Sequence, residues 1–144
     1  MTIKEIQEEI IDDFNMFDDW MEKYDYIIEL GKSLSPIDQK YKSDAYLVKG
    51  CQSQAWIHAD LVEGKIVYTA EADAIIAKGV LSLLFRVFSN QVPEDVVKAD
   101  LDFLDEIGLK EHLSPTRANG LMATIKMMKF YAVAFNAKQK NVKC

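Results

Sequence analysis

Apolar residues recur three and four apart towards both ends of the chain and two apart in its middle, so helical segments are expected to flank a strand-forming centre. Ile3, Ile6, Ile10 and Phe14 follow Thr2 at helical spacing, and Glu5 stands three residues after the threonine as in a capping box. A first helix is therefore expected to run to about Phe14. A second start falls at Asp19, with Glu22 three residues on. It carries Trp20, Tyr24, Ile27 and Ile28 and is expected to close on Gly31 as its C-terminal cap. Ser33 to Asp44 is polar, contains Ser35-Pro36 and reads as a long loop.

From Ala45 to Ala70 the period is two. Tyr46-Leu47-Val48 is a short apolar run; Ala55, Ile57, Ala59 and Leu61 then alternate with Gln54, Trp56, His58 and Asp60. Glu63-Gly64 marks a turn, and Lys65 to Thr69 returns as the second arm of a hairpin. Three strands this close in sequence predict an antiparallel sheet whose apolar face needs helices to cover it. Ala74 to Phe88 is apolar nearly all round and is expected to be a central helix. Val92-Pro93-Glu94-Asp95 opens a short helical segment, and Leu101, Leu104 and Ile107 mark another before Gly108. Ser114-Pro115 supplies an N-cap with proline at the first helical position, launching a long helix to about Asn136. The expected architecture is α+β: a small three-stranded antiparallel sheet covered by helices, with one domain over residues 1–137 and a polar, lysine-bearing tail over 138–144.

Composition narrows the partners. The 144 residues are enough for one hydrophobic core, and 49% hydrophobic with 28% charged residues is ordinary for a globular protein. A net charge of −6 argues against nucleic acid, whose binders carry basic patches. The acidic, amphipathic opening does not read as a signal peptide, and the apolar stretch from Gly79 to Phe85 is too short to span a bilayer. Two cysteines make no disulfide framework and fit a reducing, cytoplasmic setting. A protein or small-molecule partner is expected.

The candidate chemistry centres on Cys51, in Val48-Lys49-Gly50-Cys51-Gln52-Ser53-Gln54-Ala55-Trp56. The segment joins two strand-like runs and reads as a loop tip, with Gly50 free to take positive φ beside the sulfur. The other thiol, Cys144, is the last residue. A cysteine can be a buried small hydrophobe or a nucleophile, and the polar neighbours here favour the second. Nucleophilic chemistry needs a thiolate, which a positive or hydrogen-bonding setting supplies; Lys49, His112 and Arg117 are the candidates. His58 and His112 read as surface or structural residues, and Trp56 as cover for a sheet edge or an anchor for a partner. No phosphate-binding glycine loop, nucleophile elbow or metal-spaced cysteine pair occurs.

Four separated blocks in order carry a resemblance: Trp20 to Gly31, Gly50 to Trp56, Asp73 to Gly79, and His112 to Arg117 with Gly120-Leu121. In these the chain resembles the SufE family, including its CsdE branch, the sulfur-acceptor proteins of iron–sulfur cluster assembly. Ala55 stands where a larger aliphatic residue is usual, and Ser114 and Thr116 exchange one hydroxyl residue for another. The resemblance implies an IscU-like α+β scaffold with Cys51 as nucleophile and sulfur carrier. A pyridoxal-phosphate cysteine desulfurase would donate persulfide sulfur to Cys51 and be stimulated by its removal. An iron–sulfur scaffold protein would receive the sulfur. The pyridoxal phosphate belongs to the desulfurase, and no bound cofactor or metal is expected on this chain. The resemblance thus implies a sulfur-transfer protein and activator rather than an independent enzyme, monomeric or homodimeric.

Contacts with the loop or the partner are expected from Gly50, Gln52, Gln54, Asp73, His112 and Arg117. One loop cysteine and one tail cysteine are too few to hold a cluster, which takes about four ligands. Two rivals stay open: a cysteine hydrolase pairing Cys51 with His58 or His112, and an adaptor for which Cys51 is dispensable.

Overall fold

The computed structural model describes residues 1–49 and 54–142, with side chains through residue 138. Helix α1 (Ile3–Asn15) opens with the expected capping box, Thr2 accepting from the Glu5 N–H while the Glu5 carboxylate takes the Thr2 N–H. Helix α2 (Trp20–Gly31) starts on Asp19, whose carboxylate accepts from the Glu22 N–H. Such caps contribute about 1 kcal/mol each. Gly31 is not the cap expected of it. It is the last helical residue, Lys32 ends the helix in ordinary right-handed geometry, and Gly31 is buried. A Cβ there would sit 2.8 Å from the Gly79 nitrogen, and one on Gly79 would overlap the Ile27 carbonyl. Both glycines serve the close crossing of α2 and α3.

The hairpin is as expected. Strands β1 (Ala55–Val62) and β2 (Lys65–Ala72) pair antiparallel from Ala55↔Ala72 to Val62↔Lys65, around a turn where Glu63 and Gly64 both have positive φ. Ala55, Ile57 and Ala59 are buried with Ile66, Tyr68 and Ala70, confirming the alternation.

The third strand does not form. Among the described residues the sheet has two strands. Tyr46 instead ends a 3-10 turn over Asp44–Tyr46, and only Leu47 bridges to Trp56, with the Val48 N–H donating to the Ala55 carbonyl at 2.8 Å. The next outward-facing carbonyl, that of Ile57, is taken at 3.0 Å by the hydroxyl of Tyr131 from the last helix. A helix side chain thus stands where the strand would have continued. The outer edge of β2 is closed by loops: Ser35 O accepts from the Ala70 N–H, Ser89 Oγ from Tyr68, and Gln91 O from Ile66.

Helix α3 (Ile75–Phe88) is central, packing on α1, α2, β2 and the last helix and burying residues on all sides beyond its first turn. Its C-terminal half is tied down by Arg86, which reaches Asp13 at 2.9 Å, Glu9 at 2.7 Å and the Tyr26 hydroxyl at 3.1 Å. Burial lowers the guanidinium pKa, but the bonds to Glu9 and Asp13 outweigh it and raise the value overall. Helix α4 (Pro93–Lys98) has the expected proline at its start, and α5 (Asp102–Ile107) ends on Gly108 in the left-handed conformation at φ 71°.

Helix α6 (Pro115–Val142) begins at Ser114-Pro115 as expected but runs past Asn136, so Lys138 and Lys140 of the anticipated tail are helical. Tyr68 of β2 donates to its Met128 carbonyl at 2.8 Å, so hairpin and helix hold each other through two tyrosines.

Candidate functional site

Cys51, Gly50, Gln52 and Ser53 lie outside the described residues, as does Cys144, but both ends of the Cys51 segment are described. Before it, Val48 is buried and its N–H donates to Ala55 O. After it, Gln54 is held twice by Asp73: the Gln54 N–H donates to the Asp73 carboxylate at 3.0 Å, and the Asp73 N–H to the Gln54 carbonyl at 3.1 Å. Asp73 and Gln54, both expected as contacts, thus clamp each other where the described chain resumes. With Asp73 turned to Gln54, α3 begins at Ala74 without a side-chain cap.

A cavity of about 200 Å³ opens next to this base. Ala55 of β1 forms one wall, Ala74, Ile76 and Ala77 from the start of α3 another, and Leu113 with Thr116, Arg117 and Gly120 from the start of α6 a third. The lining is mostly apolar, but two helix N-termini border it, and each carries partial positive charge. Arg117 adds a full one. Its side chain is exposed, and no carboxylate among the described residues pairs with it. The Arg117 N–H is capped by Ser114 Oγ at 3.3 Å. A cavity so bordered is electrostatically suited to an anion.

His112 lies on the adjoining surface. Its ring stacks on Trp20, centroids 3.9 Å apart and planes 13° from parallel, and Nδ1 lies 2.9 Å from the Gly108 carbonyl. A carbonyl only accepts, so Nδ1 carries the proton there. Arg117, Ile76 and Leu113 line both the main cavity and a second cleft containing His112, Tyr24 and Ile28, so the fold brings His112 and Arg117 to one face.

His58 does not join them. Its neighbour in sequence, Ile57, shares the buried face with Ala55, whereas His58 faces the other way. Expected to be half-exposed, its side chain is only 12% accessible. It stacks on Tyr41 at 3.5 Å between centroids and meets Tyr46 edge-on, with Nε2 against Asp60 at 3.1 Å. Tyr41 comes from the stretch expected to be a polar loop and Tyr46 from the expected third strand, and their aromatic character is the signal for this cover. Trp56 is half-buried beside Leu47, in keeping with an edge cover. The cavity residues Ile76, Leu113 and Thr116 fall within the blocks that carry the resemblance but have no chemical signature of their own.

The SufE family, described as a Fe-S metabolism associated domain, matches residues 8–132. This chain belongs to the SufE family. An uncharacterized SufE-like protein of Synechocystis sp. is 36% identical to it over 130 residues, covering 90% of this chain and 82% of the relative. The solution structure of a hypothetical protein from Thermus thermophilus superposes with a TM-score of 0.75 at 21% identity, over 90% of this chain and 94% of that one. The second likeness bears on the α+β fold. The first, with the family match, associates the chain with iron–sulfur metabolism. No described helix of this SufE-family chain is long and apolar enough to cross a membrane.

Proposed function

We propose that this chain accepts persulfide sulfur from a cysteine desulfurase onto Cys51, stimulates that desulfurase, and delivers the sulfur for iron–sulfur cluster assembly. The observation carrying this reading is the pairing of a clamped cysteine-bearing segment with a cavity bordered by Arg117 and two helix N-termini. Family membership supplies the metabolic context.

In the proposed step the Cys51 thiolate attacks the terminal sulfur of the desulfurase's cysteine persulfide. The new S–S bond forms to Cys51 Sγ as the old one breaks, and its electron pair leaves with the desulfurase cysteine as thiolate. One sulfur atom moves and nothing is oxidised or reduced overall. Release to a scaffold thiolate repeats the exchange. The pyridoxal phosphate that forms the first persulfide resides on the desulfurase, and this chain needs no cofactor of its own.

The positive cavity border supports the reading in two ways. It would raise the thiolate fraction of a cysteine brought to it, and it would stabilise the persulfide anion once formed. Apolar walls would also limit oxidation of the waiting sulfur. His112 and Arg117 share one face, and the desulfurase would cover that face together with the Asp73–Gln54 contact. A reducing compartment such as the cytoplasm keeps this chemistry available.

Incubation with desulfurase, pyridoxal phosphate and cysteine, followed by non-reducing intact mass, tests the proposal. Wild type and Cys144→Ser are expected to gain sulfur atoms, and Cys51→Ser none. Adducts on Cys144 alone, or none at all, reject the carrier reading. Full stimulation by Cys51→Ser would mark an adaptor, and ester or amide turnover without desulfurase a hydrolase.

A further inference from the structure

His112 is held by two contacts that leave one ring atom uncommitted. It ends the 3-10 turn Lys110–His112, between the left-handed Gly108 and the start of α6. The Trp20 ring on which it stacks is itself packed on buried Phe14 and on Tyr24, which fixes the plane of the imidazole. The Gly108 carbonyl takes the Nδ1 proton, which leaves the lone pair of the neutral ring on Nε2. Among the described residues no hydrogen-bond partner engages Nε2, and no carboxylate pairs with His112 or Arg117. The charged groups around the ring are cations: Lys23, 5.0 Å over Trp20, and Arg117, on the same cleft. A proton taken by Nε2 there meets no carboxylate that would retain it.

We infer that His112 is a catalytic acid–base residue of the sulfur transfer proposed above, on which this inference rests. Nε2 takes the proton of the Cys51 thiol as that sulfur attacks the terminal sulfur of the desulfurase persulfide. The S–S bond of the donor breaks and its electron pair leaves with the desulfurase cysteine, which takes the proton back from Nε2. Cys51 ends as the persulfide, the donor as a thiol and the imidazole neutral, with nothing oxidised or reduced overall. An imidazole both accepts and donates a proton near neutral pH, whereas the guanidinium of Arg117 keeps its protons and can only stabilise the anion. His58 is on the other face of β1, and Asp73 is engaged with Gln54. The His112 cleft reaches the cavity walled by Ala55 through Ile76, Leu113 and Arg117, which line both.

Single-turnover transfer from a persulfidated desulfurase, quenched and read by intact mass, tests it. The full chain is used in a Cys144→Ser background and at saturating concentration, so that docking affinity does not enter the rate. Without further change it is expected to gain one sulfur, and His112→Phe to reach the same extent about ten- to a hundredfold more slowly. Phenylalanine keeps a ring stacked on Trp20, and its circular dichroism spectrum should be unchanged. Added imidazole should restore the rate of His112→Ala in proportion to its concentration. Pyrazole, a ring of the same shape with little basicity, should not. Equal rates with and without His112→Phe, or a His112→Ala rate that imidazole leaves unmoved or pyrazole restores equally, overturns the inference and leaves Cys51 as the carrier. Absence of any sulfur on the chain that retains both Cys51 and His112 rejects the carrier reading, and this inference with it.

Discussion

Two arginines flanking the central helix put the same guanidinium to opposite use. Arg86, in the last turn of α3, is committed to structure: two carboxylates and a phenol from α1 and α2 hold it, and its charge is neutralised where it stands. Arg117, beside the first turn of α3, has no such partner among the described residues and borders a cavity instead. A cation already matched by its own chain adds rigidity but has little left to offer a ligand. One left unmatched at a cavity adds little stability and keeps its field for an incoming anion. The contrast places a matched cation at one end of α3 and an unmatched one, bordering the cavity, at the other.

The strongest way to break this contrast is to disturb both ends together. Gly79→Ala would drive a methyl into the Ile27 carbonyl and push α2 off α3; a loss of about 3 kcal/mol or more in urea unfolding is expected. Arg86→Ala should separate the ends. It leaves Asp13 and Glu9 without their partner and should cost about 2 kcal/mol by the same measurement, since the site is only partly buried. The sulfur accepted per folded molecule should not change. Arg117→Ala should do the reverse. Stability is expected to stay within about 0.5 kcal/mol of wild type, while the pH midpoint for alkylation of Cys51 rises by about half a unit to one unit. An unchanged midpoint would remove Arg117 from the account of thiolate formation.

The smallest effect concerns alkaline pH and belongs to the scaffold. Burial raises the phenol of Tyr68 well above its ordinary 10.0 and pushes that of Tyr131 up to about 12. Folding therefore holds protons that the unfolded chain gives up above about pH 10. The stability linked to these groups is complete below that value and falls as pH rises beyond it. Melting temperatures taken from about pH 8 to 11 should decline only in the upper part of that range. The fall should be shallower in Tyr131→Phe.

Local rules made much of the scaffold legible. Thr2 with Glu5, Asp19 with Glu22, Gly108 and Ser114-Pro115 marked helix ends by interactions within a few residues, and Glu63-Gly64 marked the turn in the same way. What escaped depends on distant partners. Gly31 was read as a cap because glycines end helices, but its role is set by Gly79 on another helix. The third strand was read from Tyr46-Leu47-Val48, yet Tyr131 occupies the edge it needed. His58 alternates like a surface residue, and only the folding back of Tyr41 buries it. Among the candidate residues legible in the sequence, the fold puts Asp73 against Gln54 and brings His112 and Arg117 to one face. The cavity itself was invisible, because its walls are ordinary aliphatic residues drawn from β1, α3 and α6.

The clamp on Gln54 has a consequence in reach. Val48 and Gln54 are both fixed to the framework, and Cys51 stands three residues from each. A chain extends at most about 3.5 Å per residue, so the Cys51 Cα stays within roughly 10 Å of either anchor in any conformation. On the proposed function this separation sets a limit, because a donor would have to carry its sulfur inside that radius. Inserted glycines between Gln52 and Gln54 would lengthen the tether without altering the thiol, turning distance of delivery into an adjustable quantity.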